Sequence, residues 1–569
     1  MADDSKTTKP GWGVLLRSLR QKKTLYMLLF GFAAGLPYSL VLGTLYAWLS
    51  EAKVDLETMG VFSLIGLAYA FKFLWSPALD RVDLPGLKRL GHRKQWIVTA
   101  QILIGVSLIT LSLLDPKSQL GLFSLLAGIV AFSSATQDVV IDAWRVDVAD
   151  EVATIDILST IYQMGYRLAA LAGGALALII AARIGWPQTY ALFGGMIFVI
   201  GIAGIRAPDA KRTTDMIEAA GAELDALRQP GQLKPRVRKT AFAAIGGLWA
   251  IALGMVLVFM VRSLNADAES RNQSVEWITQ QGPLIILATI VVPGIIAAWL
   301  VHQQKHGRHV LTEPAPATTS GERAIDFGYR ALVLPLTEII GRLGSAAILV
   351  IALILTYRIC DAIWGSFAYP FYLGELQYTN DEVAIASKFF GVGALLVGLA
   401  VGGALLTLIG RMAALTFGAV IAALTNLLYA DLAVGGARMQ AVADATGFTW
   451  LVTQLGGDER LSKLMITIAG ENLAVGIAGA AFVAYLSSIV AKGYSAVQYA
   501  LLSSLALLVG TLGRAPLGQL IEELGYYTVF LITTAIGGVA VVLCLLEWAR
   551  QKRLGTADQN APPPEVEFA

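Results

Sequence analysis

The sequence predicts an all-α integral membrane protein, and three observations carry that expectation. Only 15% of its 569 residues are charged and 56% are hydrophobic, whereas soluble domains carry about 25% charge. Apolar runs of about 20 residues, long enough to cross a bilayer, recur from Leu25 to Trp548. The segments between them alternate between basic and charge-poor, as the loops of a multi-span protein do.

In chain order, residues 1–23 are polar and then basic, with Arg17, Arg20, Lys22 and Lys23 directly before the first apolar run. That run is too long for a signal-peptide core and no cleavage site follows it, so it reads as a first transmembrane helix with a cytoplasmic N-terminus. Spans are expected at 25–49, 58–79, 95–114, 119–142, 159–182 and 187–205. A charged segment, 206–239, precedes two further spans at 240–262 and 282–301. After a Pro-containing polar stretch come 345–373, 383–408, 412–434, 464–488, 494–513 and 527–548. The expected organisation is therefore a six-helix bundle over 1–206, a cytoplasmic linker with two extra transmembrane helices over 207–344, a second six-helix bundle over 345–550 and a disordered tail over 551–569, fourteen helices in all. With that count the loops rich in Lys and Arg all fall on one side, placing both termini in the cytoplasm. Trp48, Trp96, Trp186, Tyr526 and Trp548 lie near span ends, where interfacial aromatics belong.

The most informative stretch is Gln137-Asp138-Val139-Val140-Ile141-Asp142-Ala143-Trp144-Arg145. On a helix Asp138, Asp142 and Arg145 share one face, and ionisable groups within a span are costly and usually functional. Several classes of function find no support. A net charge of +2 is too small to suggest a nucleic-acid partner, and Cys360 and Cys544 are far apart inside apolar segments, so neither a disulfide framework nor a metal site is expected. The four histidines, His92, His302, His306 and His309, lie in loops or at span ends without zinc-type spacing, which argues against an enzyme.

Two bundles joined by a long linker form the architecture of transporters that rock around a central site. The halves carry a loose repeat: Gly35-Leu36-Pro37-Tyr38 against Ala368-Tyr369-Pro370-Phe371, and Gln137-Asp138 against Glu471-Asn472. Between the second and third spans, Asp80-Arg81 and Gly91-His92-Arg93-Lys94 resemble the acid-and-base loop motif of the major facilitator superfamily. Closer resemblance, to the AmpG-type muropeptide permeases, lies in Gly31–Pro37, Phe71–Arg81, Gln137–Arg145, Gly165-Tyr166-Arg167, Tyr357–Ala362, Glu471-Asn472, Ala481–Ser487 and Ser495–Ser504, spread over both halves. The resemblance implies a major facilitator fold and import of N-acetylglucosaminyl anhydro-N-acetylmuramyl peptides from periplasm to cytoplasm. It also implies a proton gradient as the energy source with no cofactor, a monomer in the bacterial inner membrane, and a place in peptidoglycan recycling and β-lactamase induction. Acetyl-CoA transporters are distantly similar, so another anionic solute such as acetyl-CoA is the alternative substrate.

At 1.5 Å per helical residue, Lys72, Asp138 and Arg167 fall in the inner third of the first bundle, and Arg358, Asp361 and Glu471 nearer the midplane of the second. With Gln137, Asn472, Gln498 and Tyr499, these are the expected substrate-binding or proton-coupling residues. The same count puts Asp142 and Arg145 at the water boundary, where with Asp80, Arg81 and Arg93 they are expected to form a cytoplasmic gate. Tyr38, Tyr46, Trp364 and Tyr369 supply aromatic faces for a sugar. Structural alternatives stand beside these roles: Lys72 as a snorkelling side chain, Arg358 with Asp361 as a self-satisfied pair, Glu471 as a protonated carboxyl bonded to a neighbouring helix. Residues 326–342 read as an amphipathic helix on the cytoplasmic surface or as a lead-in to the next span.

Overall fold

In lipid each backbone N–H and C=O must be satisfied within its own segment, so uninterrupted apolar runs become helices. The computed structural model describes residues 17–53, 68–69, 71–208, 224–264, 274–317, 319–359, 367–368, 370–512 and 514–554, and is almost entirely helical there. In order the elements are α1 (Lys22–Glu51), α2 (Ser76–Arg81), α3 (His92–Ser112), α4 (Leu120–Val148), α5 (Ile155–Ile184) and α6 (Trp186–Gly204). Then come α7 (Pro235–Leu264) and α8 (Ser274–Ile286, continued through a π turn into Val292–Lys305). The chain continues with α9 (Ser320–Leu343), α10 (Ala346–Tyr357), α11 (Asp381–Leu408), α12 (Arg411–Ala433), α13 (Glu459–Ser488), α14 (Ser495–Leu512) and α15 (Arg514–Arg553). Among the described residues, 11 helices are long and apolar enough to cross a membrane. The three remaining expected spans, 58–79, 345–373 and 494–513, each run into residues outside the described set. The observed helices are therefore consistent with fourteen.

The two bundles repeat one packing plan: α3 lies against α6 as α12 lies against α15, and α5 closes the seam between bundles against α11 and α13. Small residues permit the closest crossings. A Cβ added to Gly165 would run into the Leu28 carbonyl oxygen of α1 and stand 2.9 Å from the Phe32 nitrogen, and one added to Gly35 would stand 2.6 Å from the Tyr166 carbonyl oxygen. Backbone cannot swing aside, so Gly165→Ala should cost about 1–3 kcal/mol and lower the unfolding temperature in detergent, whereas Gly195→Ala, with open space around it, should not.

Proline and π turns mark the first helix of each bundle. Pro37 precedes a π turn at Leu40–Thr44, and a second π turn runs Pro370–Glu375. Such turns free backbone carbonyls, and in α1 side chains take them up: the Tyr190 hydroxyl donates to Leu40 O at 2.9 Å, and Thr44 donates across to Gly173 O, in the π turn of α5, at 3.1 Å. Residues 326–342 lie within α9, which turns through 105° into α10 at Gly344 (φ 57), so this segment runs nearly perpendicular to the helix it leads into. Trp48 and Trp186, expected at the interface, are instead buried, their rings 4.8 and 6.4 Å from that of Tyr190. Packing against a neighbouring helix outcompetes the headgroup region for both.

Candidate functional site

The first cluster hangs on α4, whose Gln137, Asp138, Asp142 and Arg145 share a face because the helix repeats every 3.6 residues. Lys72, in a short 3₁₀ turn ahead of α2, places its ammonium 3.7 Å from Asp138 Oδ2, and both residues are buried. Asp138 Oδ1 and Gln137 Oε1 have no hydrogen-bond partner among the described residues, while Gln137 Nε2 donates to Ala33 O at 2.7 Å. A buried carboxylate oxygen without a donor is unstable unless a proton, water or ligand reaches it. Beside this pair stands a group of tyrosines on three elements: the Tyr38 ring meets Tyr69 edge-on at 5.0 Å and Tyr166 at 6.4 Å, and Tyr166 lies 6.2 Å from Tyr162. Tyr38, flanked by the Tyr69 and Tyr166 rings, is still 40% exposed. Arg167, next to Tyr166, is half-buried, and Tyr46 is half-buried against the apolar cluster around Trp48.

The second cluster joins the bundles at one end of the seam. Arg93 is held within 2.7 Å of both Asp80 and Asp147, and donates to Ser495 Oγ at 3.0 Å and Leu79 O at 3.2 Å. Asp80 accepts from the backbone amides of Ala496 (3.3 Å) and Val497 (2.9 Å), the first turn of α14, where unpaired N–H groups and the helix dipole favour an anion. The Arg81 guanidinium lies 4.9 Å above the Tyr494 ring. A second bridge, Arg411 Nε to Asp156 Oδ1 at 2.7 Å, ties the start of α12 to the start of α5. Arg93 and Arg411 both follow a positive-φ glycine, Gly91 (φ 100) and Gly410 (φ 90), so each bundle sends one first-turn arginine across the seam.

Asp142 and Arg145 are both buried in this conformation. Arg145 is 0% exposed, sandwiched between the rings of Tyr162 (4.8 Å) and Tyr499 (5.0 Å), bound to Asp142 at 3.0 Å, and donates to Ser487 Oγ at 3.2 Å. α4 runs on to Val148, six residues past the expected span end. Gln498, expected among the binding residues, is tied up at the same end: it donates to Pro335 O (2.9 Å) and Glu338 (2.6 Å) and accepts from Ala491 N (2.8 Å). Tyr499 is drawn to the seam by Arg145 rather than left facing open space.

In the second bundle Glu471 accepts from the Tyr429 hydroxyl, which lies 2.7 Å from Tyr372 Oη, and Asn472 donates back to Ile468 O at 2.9 Å. Arg358 is half-buried where α10 ends. Asp361, Trp364 and Tyr369 lie outside the described residues. The sequence reading missed Tyr69, Tyr162, Tyr166, Asp147, Asp156, Arg411, Tyr429, Ser487 and Ser495. Asp147 had a usable signal, since a carboxylate in the last turn of α4 opposes the helix dipole unless a cation compensates.

A protein-family profile described as acetyl-coenzyme A transporter 1 matches residues 24–171. The chain is 28% identical over 534 residues to a protein of Escherichia coli (strain K12) named anhydromuropeptide permease, covering 93% of this chain and 81% of that one. It is 25% identical over 519 residues to putative transporter AmpG 4 of Rickettsia conorii, covering 91% and 94%. Among solved structures, the human organic anion transporter MFSD10 matches with a TM-score of 0.53 at 9% identity over 92% of this chain and 99% of that one. The major facilitator superfamily proton:xylose symporter XylE matches with a TM-score of 0.50 at 11% identity, over 93% and 94%.

Proposed function

We propose that this chain, a membrane transporter related to the AmpG-type permeases and built on the major facilitator fold, imports N-acetylglucosaminyl anhydro-N-acetylmuramyl peptides by proton-coupled alternating access. Movement runs from periplasm to cytoplasm across the bacterial inner membrane, with the basic loops and both termini inside. The observation that carries the reading is the half-satisfied Asp138 carboxylate beside Lys72, at the foot of the Tyr38, Tyr69 and Tyr166 group. Asp138 takes the proton, Lys72 and Arg167 attract the stem-peptide carboxylates, and the tyrosine rings pack on the faces of the sugar. Protonation of Asp138 frees Lys72 for the anionic substrate, so the two ligands favour each other. The contacts of Asp80, Arg93, Asp142, Arg145 and Arg411 act as a cytoplasmic latch, and the described conformation is the one closed on that side.

The acetyl-coenzyme A transporter profile over residues 24–171 favours a second reading, in which the anionic solute is acetyl-CoA. Competition uptake into proteoliposomes with an imposed pH gradient separates the two. Anhydromuropeptides should compete best, with the free disaccharide and free peptides each weaker by at least about tenfold, since each lacks half of the contacts. Acetyl-CoA competing as strongly as the muropeptide would favour the second reading, and gradient-independent accumulation would remove the proton coupling.

A further inference from the structure

The two additional helices, α7 and α8, lie at the seam between the bundles, and their attachments to the two sides differ in kind. Towards the second bundle they are interlocked and polar. A Cβ on Gly328 of α9 would collide with the Phe242 ring of α7, and one on Gly341 would stand 3.7 Å from Val301 of α8, so α9 lies flush against both helices. At its base Asp326 of α9 accepts from Arg238 of α7 (3.0 Å) and from Arg228 ahead of it (2.7 Å), all three buried. The far half of α9 is in turn bonded to the second bundle: Glu338 and Pro335 O accept from Gln498 of α14, and Arg342 donates to Ile489 O, just past α13, at 2.8 Å. Towards the first bundle α7 and α8 make aromatic contacts, edge on face, and α9 packs through Tyr329–Val333 against α2. Trp249 of α7 meets Phe73 at 5.8 Å and Trp277 of α8 meets Phe71 at 6.5 Å, both near 84° between planes, and the phenylalanines are almost fully buried beneath them.

We propose that α7, α8 and α9 form a strap that moves as one piece with the second bundle and slides over Phe71 and Phe73 each time the latch opens. An edge-to-face ring contact is worth only about 0.5–1.5 kcal/mol beyond its buried area, whereas separating the buried Arg238–Asp326 pair would leave uncompensated charges. Rocking of the bundles must shear one interface of the strap, and the aromatic one yields. The strap also covers the part of the seam where Lys72, the residue between Phe71 and Phe73, enters the cluster.

This inference rests on the alternating-access reading, and its test needs no substrate. In a background with Cys360 and Cys544 replaced by alanine, Ser487→Cys reports opening of the latch by its reaction with a water-soluble maleimide. One pair, Phe73→Cys with Trp249→Cys, is joined by a short cleavable bis-methanethiosulfonate; a second pair, Arg342→Cys with Ile489→Cys, is joined in the same way as a control. Joining 73 to 249 should slow labelling at 487 by at least about tenfold, reversibly on cleavage, and joining 342 to 489 should leave it unchanged. Undiminished labelling with 73 and 249 joined, or arrest with 342 and 489 joined, overturns the strap. Absence of labelling at 487 before any joining overturns alternating access itself and the strap with it. The cleaved state of each protein shows that its substitutions alone have not unfolded it.

Discussion

Replacing Arg93 with alanine should swing the transporter away from the described conformation and abolish net uptake. One guanidinium, 5% exposed, serves Asp80, Asp147, Ser495 and the Leu79 carbonyl. Its loss strands the buried Asp80 and the partly buried Asp147, and removing one partner of a buried ion pair costs about 3–5 kcal/mol. Asp80 is partly compensated by the amides of Ala496 and Val497, but those bonds also exist only while the seam is closed. The whole penalty therefore falls on the closed state, and at about 1.4 kcal/mol per tenfold it shifts the equilibrium by about 10²–10⁴. Labelling of Ser487→Cys should become correspondingly faster in Arg93→Ala, whereas Arg89→Ala, on the exposed part of the same loop, should match the parent. Arg93→Lys should recover only part of the closure, because an ammonium cannot hold two carboxylates and a hydroxyl in the fork geometry of a guanidinium. Wild-type labelling and uptake in Arg93→Ala would show that this cluster is not what holds the end shut.

The sequence made the membrane architecture readable because period and length are local properties. An apolar run of 20 residues admits few structures in lipid, and the alternation of loop charge supplied the count. Asp138 and Lys72 were readable for a related reason: a charge inside a span is conspicuous, and the depth arithmetic put both in one layer. The partners were not readable. Ser487 and Ser495 are ordinary residues until the seam brings them to Arg145 and Arg93, 342 and 402 positions away in sequence. Asp156 and Arg411 look like loop charges until Gly410 turns the chain so that α12 begins beside α5. Gln498 failed in the opposite sense, since an amide near a span end looks like a ligand group while the backbone it satisfies, at Pro335 and Ala491, is invisible.

The same reasoning separates the work of Lys72 from that of Asp138, and a double-mutant cycle should resolve it. Lys72→Met leaves Asp138 buried with Asp142 four residues away, and the neighbouring Arg145 is already paired with Asp142. At a separation of 3.7 Å the pair is loose, so the loss should lie near about 3 kcal/mol, the low end for a buried pair. It should show as a lower unfolding temperature and poor yield. Asp138→Asn removes the acid but leaves Lys72 buried, and should be milder because a flexible lysine can withdraw toward water. The double variant should regain most of the stability of the parent, with a coupling of about 1–3 kcal/mol between the sites. Uptake should not return with it. If Asp138 carries the coupled proton, the double variant will fold, bind and equilibrate solute down its gradient, yet show no accumulation when a pH gradient is imposed. A structural pair alone would give the contrary outcome: restored stability would restore accumulation as well. Asp138→Asn transporting at the parental rate with unchanged dependence on the gradient would remove Asp138 from the proton path and leave Glu471, held by the Tyr429 hydroxyl, as the next acid to test.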